Sequence, residues 1–170
     1  MPIDLSDIPI AVGDYLDNHV TTVVSAVSSG GTIEDGETGT FSVTVTNAGA
    51  PDGVRLVNLR WHLTISPATV AKLVADTSAL APKRATIDPD GPTLAFGELT
   101  DVMFIFPVAG VLPQAELDVG ESATFDNLQV KGLRRGSATI KCHIHADIDQ
   151  NSLFPRSENS PNGQVQLSVT

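Results

Sequence analysis

From Ala138 to Ile148 the even-numbered positions are all apolar and the odd-numbered ones all polar. Ala138, Ile140, Cys142, Ile144, Ala146 and Ile148 alternate with Thr139, Lys141, His143, His145 and Asp147. Successive side chains of an extended chain point to opposite sides, so a period of two held this long demands a strand with one buried and one wet face. Other segments carry the same signature. In "TFSVTVTNAG" Phe41, Val43 and Val45 alternate with Ser42, Thr44 and Thr46 before the turn cluster "NAGAPDG". In "VRLVNLRWHLTIS" the inward set is Val57, Leu59, Trp61, Leu63 and Ile65. "TTVVSAVS", "ESATFDNLQVKG" and "GQVQLSVT" read as three more strands, and the nearly all-apolar "DVMFIFPV" as one covered on both faces or lying in an interface. Short strands punctuated by Gly, Pro, Asn and Asp predict an all-β, antiparallel sandwich of about seven to nine strands.

A chain of 170 residues bounds this to one domain. We place the sandwich over residues 19–170 and read residues 1–18 as an N-terminal arm, because Ile8, Ile10 and Val12 alternate with no evident hairpin partner. Between the strands, "SPATVAKLVADTSA" fits either a short helix capped by Ser66 and Pro67 or an irregular strand. Ten Lys and Arg against 20 Asp and Glu leave a formal charge of -10 and no basic face, so nucleic acid is not an expected partner. No apolar run is long enough to span a bilayer. The acidic N-terminus lacks the basic-then-apolar order of a Sec signal, which leaves an extracellular or particle-surface location compatible with cytoplasmic assembly before release. With one cysteine, Cys142, no internal disulfide can form.

"TGTFSVTVTNAGAPDGVRL", "ELDVGESATFDNL" and "GSATIKCHIHADIDQNSLFPRSENSPNGQVQLSV" together resemble the immunoglobulin-like cell-adhesion-related domains of bacteria. The shared features are a strand ending in an Asn-x-Gly turn, a "GES" lead-in to a later strand, and a final hairpin with an acidic, Asn-rich loop. The match spans residues 36–66 and 115–170, and residues 67–114 read as an insertion between strands C and E. The resemblance implies an immunoglobulin-like sandwich that contacts protein or glycan through its end loops, with 147–163 as the contacting edge. Trp61 and Cys142 fall on the inward faces of strands C and F, as the buried Trp and Cys of immunoglobulin domains do. Val43 and Val45 stand where a disulfide partner would sit, and Ile140 replaces the tyrosine two positions before the cysteine.

The same alternation splits the Cys-His-His crowding at 142–145 into two faces. Cys142 turns inward, while His143 and His145 turn outward, where His62 on strand C can join them as a candidate zinc site. Beyond the strand, "DIDQNSLFPRSE" sets Asp147, Asp149, Asn151 and Glu158 at the spacing of a calcium loop, with Ser152 where a glycine is usual. Solvated strand and turn residues account for both sets without a metal, and that is the favoured reading of each. No nucleophile elbow, P-loop, zinc-protease or dinucleotide motif occurs, so the expected class is non-enzymatic, with no required cofactor unless Ca2+ binds the loop. Two functions fit. One is a surface binding or adhesion module. The other is a self-assembling structural protein, such as a phage decoration, head or tail component or a filament subunit, in which Ile8, Ile10 and Val12 add a strand to a neighbouring copy of a homo-oligomer.

Overall fold

Alternating segments of this kind can bury their apolar faces only against one another, and they do so as two sheets. The structure, a computed structural model, describes residues 12–49, 53–74, 84–85, 93–95, 98–105, 116–148, 157–158 and 163–170. A helix, α1 (Val12–His19), leads into β1 (Val20–Val24), β2 (Thr32–Ile33), β3 (Thr38–Asn47), β4 (Leu56–Ser66) and β5 (Ala71–Val74). There follow β6 (Arg84–Ala85), β7 (Thr93–Ala95), β8 (Glu98–Ile105), β9 (Ser122–Gly132), β10 (Gly136–Ile148), β11 (Ser157–Glu158) and β12 (Gly163–Val169). One sheet runs β1-β3-β9-β5; the other runs β2-β12-β10-β4-β8-β6, with β11 on β10 and β7 on β8. Pairing is antiparallel except between β12 and β2. With β3, β4, β9, β10 and β12 as strands B, C, E, F and G, and β5 beside β9 as strand D, this is the immunoglobulin partition of strands between two sheets. The described strands outnumber the expected set because β2, β6, β7 and β11 are only two or three residues long.

The insertion lies between β5 and β9, where β8 returns to pair with β4 and widens the second sheet. Of the two readings of "SPATVAKLVADTSA", the strand is observed over its described part. A turn at Pro67–Val70 sends the chain across to the first sheet, where β5 pairs with β9. The N–H of Leu73 on that edge strand donates to Asp101 of β8 at 2.8 Å, so a side chain of the opposite sheet covers an edge that could otherwise template aggregation.

Trp61, Leu63, Ile65, Ile140, Cys142, Ile144 and Ala146 are fully buried between the sheets, and the Trp61 ring meets Phe125 of the other sheet edge-on at 4.8 Å. Trp61 and Cys142 share the inward face two register positions apart, since Trp61 opposes Ile144 and Leu63 opposes Cys142. Burial pushes the Cys142 thiol far above its ordinary range.

Two details of the alternation are corrected. Leu56, not Val57, is the fully buried residue at the start of β4, because Asn58 adopts φ +53° and the register slips between His145 and Asp147. An equivalent bulge at Asn127, φ +57°, lets Phe125 and Leu128 both face inward from β9. Asparagine tolerates the left-handed region better than other side-chain-bearing residues, which explains its place at both. The segment read as an extended arm is also different over its described part. Val12–His19 is helical, and Tyr15 and Leu16 are buried in the common core, so the helix crosses the 18/19 boundary. Ile8 and Ile10 lie outside the described residues.

Candidate functional site

Immunoglobulin-like sandwiches carry their variable loops at the ends, where a rigid frame presents chain that need not pack. At one end of this sandwich the frame is held by buried polar groups rather than by apolar contact alone. Asn47, the last residue of β3, is fully buried. Its Nδ2 donates to the carbonyls of Val54 (2.8 Å) and Leu117 (3.2 Å), and its Oδ1 accepts from the Tyr15 hydroxyl at 2.9 Å. With its one proton directed there, the Tyr15 oxygen accepts the N–H of Val54 at 3.0 Å. The backbone of Asn47 bonds Glu121 and Gly120, and Leu56 and Leu117 exchange a pair of backbone bonds. One side chain and one phenol thus tie α1, β3, the start of β4 and the approach to β9 into a single joint.

Gly49 fits against the same phenol. A Cβ there would lie 2.0 Å from the Tyr15 oxygen, so the glycine of the Asn-x-Gly turn is required by close approach. The "GES" lead-in is explained as well. In "DVGE" Gly120 takes φ +85° and the Glu121 carboxylate accepts the Asp118 N–H at 2.9 Å; in "EDGE" Gly36 takes φ +84° and Glu37 does the same for Glu34 at 2.8 Å. On the surface of this joint Arg55 pairs with Glu116 and with Asp118, the latter at 3.1 Å. Gly49, Gly53 and Ile148, whose register partner is Leu56, lie at this end of the frame.

The candidate calcium residues begin at this end. Asp147 lies in β10 and accepts a hydrogen bond from Asn58 Nδ2 at 2.9 Å, and Glu158 lies in β11 with His145 as its register partner. Asp149 and Asn151 lie outside the described residues, so the set as a whole does too.

The three histidines do come together. His62 opposes His143 across the β4–β10 pair, and their rings stack with centroids 5.2 Å apart and planes 30° apart. The His145 ring is 6.1 Å from that of His62. All three are half-buried on the outer face. As oriented, no three or more His, Cys, Asp or Glu side chains among the described residues are placed to hold one ion. Sequence reading missed Tyr15 and Asn47. The signal for the first was Val12, Tyr15, Leu16 and His19 at i, i+3, i+4 and i+7, a helical spacing.

In sequence, no family model and no curated protein matches the chain. Among solved structures it is similar to AvmM, which catalyses macrocyclization in alchivemycin A biosynthesis, at 18% identity over 90% of this chain and 89% of that one, with a TM-score of 0.59. It is also similar to a type I cohesin–dockerin complex of OlpA from Clostridium thermocellum (11% identity, 90% and 100% covered, TM-score 0.48). A third is the seventh ScaB type I cohesin from Pseudobacteroides cellulosolvens (8% identity, 89% and 92% covered, TM-score 0.47). At 18% identity the likeness to AvmM carries the fold and not its chemistry. Among the described residues no helix is long and apolar enough to cross a membrane.

Proposed function

We propose that this chain is a non-catalytic binding module of the cell-adhesion-related kind, which holds a protein partner through the loops at the Tyr15–Asn47 end. The observation that carries the reading is the buried joint at Asn47. A fold stabilised only by its core has no need to bury an amide and a phenol at one end, whereas a binding surface needs the roots of its loops fixed so that little ordering entropy is lost on contact. The "DIDQNSLFPRSE" loop then supplies acidic and amide groups for recognition. Partner capture by the intact chain, compared with a chain whose residues 149–156 are replaced by Gly and Ser at equal length, tests it. Loss of the partner with an unchanged far-UV spectrum is expected; equal capture by both chains would sink it. A glycan array run with the same two proteins distinguishes a sugar ligand from a protein.

A specific observation also favours self-assembly as a second reading. Val23, on the outer face of edge strand β1, is 62% exposed, an apolar side chain beside an edge to which Ile8 and Ile10 of another copy could add. Light scattering of the full chain and of one lacking residues 1–11 decides. An oligomer that becomes a monomer on truncation supports it, and a monomer in both cases removes it. Truncation must stop short of residue 12, because Tyr15 and Leu16 belong to the core.

A further inference from the structure

Glu34–Glu37 and Asp118–Glu121, at opposite ends of β3, are the same turn. In each, the N–H of the fourth residue donates to the carbonyl of the first at 3.0 Å, the third is a glycine at φ +84° or +85°, and the final Glu carboxylate accepts the N–H of the first. The second position serves neither bond and turns to solvent, where a polar residue or a proline is usual. At the Thr38 end of β3 that position holds Asp35, fully in solvent. At the Asn47 end it holds Val119, 43% exposed and outside the buried core. Neither the turn nor the core asks for that valine. We infer that Val119 is the apolar contact of the binding end and that the partner meets it with an apolar residue flanked by Lys or Arg, a basic protein segment. The inference rests on the reading of the Asn47 end as the end that binds.

The joint holds the valine in place. The Asn47 carbonyl accepts the Gly120 N–H at 2.6 Å and its N–H donates to the Glu121 carbonyl at 2.9 Å, so a contact through Val119 loses little ordering entropy. Beside it two glycines pack closely: a Cβ on Gly53 would meet the Gly49 oxygen at 2.1 Å and Val119 Cγ2 at 2.7 Å. Exposed Ala48 and half-buried Val54 adjoin these glycines in the chain and extend the apolar spot.

The charge around the spot is negative on balance. Arg55 pairs with Glu116 and Asp118, and Glu121 adds a third carboxylate, so one guanidinium stands against three acids in a chain of net charge -10. The Arg55, Glu116 and Asp118 side chains are 43%, 50% and 63% exposed, which makes them a rim rather than a buried cluster. An apolar centre within a polar, solvated rim is the ordinary anatomy of a protein contact. An excess of carboxylates on that rim repels acidic surfaces and steers basic ones. Leu133, 40% exposed at the far end, has the opposite setting, with Lys131, Arg134 and Arg135 as its neighbours in the chain.

Selection of a random peptide display library on the immobilised full chain tests the inference. Enriched peptides should combine an apolar residue with Lys or Arg. Their affinity should fall at least about threefold with V119S, the effect of losing a valine contact that is already partly covered in the free chain, and should be unchanged by L133S. Asp35 in the matched turn shows that the position needs no apolar side chain, so V119S keeps the fold, which its far-UV spectrum checks. Raising NaCl from about 0.05 M to about 0.5 M should also weaken binding, because exposed charges are then screened. No enriched peptide, peptides without a basic excess, or equal affinity of V119S and the intact chain overturns the inference. The chain with residues 149–156 replaced, run in parallel, separates the two claims: peptides lost by that chain but kept by V119S leave the binding end standing and remove Val119 from it.

Discussion

At the scale of single residues, Asn47 and Cys142 show how burial makes a side chain specific. Asn47→Ala would remove the acceptor of the Tyr15 hydroxyl proton and one donor each to the Val54 and Leu117 carbonyls, the latter keeping the Leu56 N–H. The expected loss is about 2–4 kcal/mol, read as a melting temperature lower by about 5–15 °C. Gly49→Ala should destabilise comparably, since its Cβ meets the Tyr15 oxygen at 2.0 Å and Cζ at 2.8 Å. Cys142 is inert for the opposite reason: the apolar interior raises its pKa, because the thiolate has no compensation there. The folded chain keeps its thiol proton while the unfolded chain gives it up near 9.0, so stability is full below that pH and declines above it. Between pH 8 and pH 10.5 the melting temperature of the intact protein should therefore fall further than that of Cys142→Ala. Parallel slopes would contradict the burial argument.

At the scale of elements, β10 was legible because its alternation is unbroken, and it carried the faces of His143, His145 and Cys142 with it. What stayed hidden were the interruptions. "LVNL" and "FDNL" each place two buried residues three apart around an Asn, a spacing that breaks the period of two and hides the continuing strand until the bulge is recognised. Asn127→Val forces a β-branched side chain into the left-handed region and should cost about 1–2 kcal/mol, whereas Asn127→Gly should stay within about 0.5 kcal/mol of the natural chain in a denaturant titration. Helix α1 was hidden for another reason. The alternation of Ile8, Ile10 and Val12 competes with the helical spacing that begins at Val12, and eight residues form a helix only when tertiary contacts hold them. A chain lacking residues 1–18 should be less stable than one lacking 1–11 by about 3–6 kcal/mol, the burial of Tyr15 and Leu16.

At the scale of the whole molecule, the all-β sandwich follows from sequence pattern, because burial needs only the right period and enough turns, while the partition of strands and the place of the insertion came with the resemblance to cell-adhesion-related domains. The joint at the Asn47 end follows from neither, because it depends on a phenol from α1 reaching an amide 32 positions later. Nothing in local propensity announces such a contact. It is also what distinguishes the two ends of an otherwise ordinary sandwich, and on it rests the claim that this end binds a partner. The direct measurement is site-specific photo-crosslinking in an extract of the source organism, with the reactive residue at position 151 in the loop or at position 124 on the outer face of the first sheet. Crosslinks to one protein from position 151, and none from position 124, are the predicted result; crosslinks from position 124 alone, or from neither position, would contradict it.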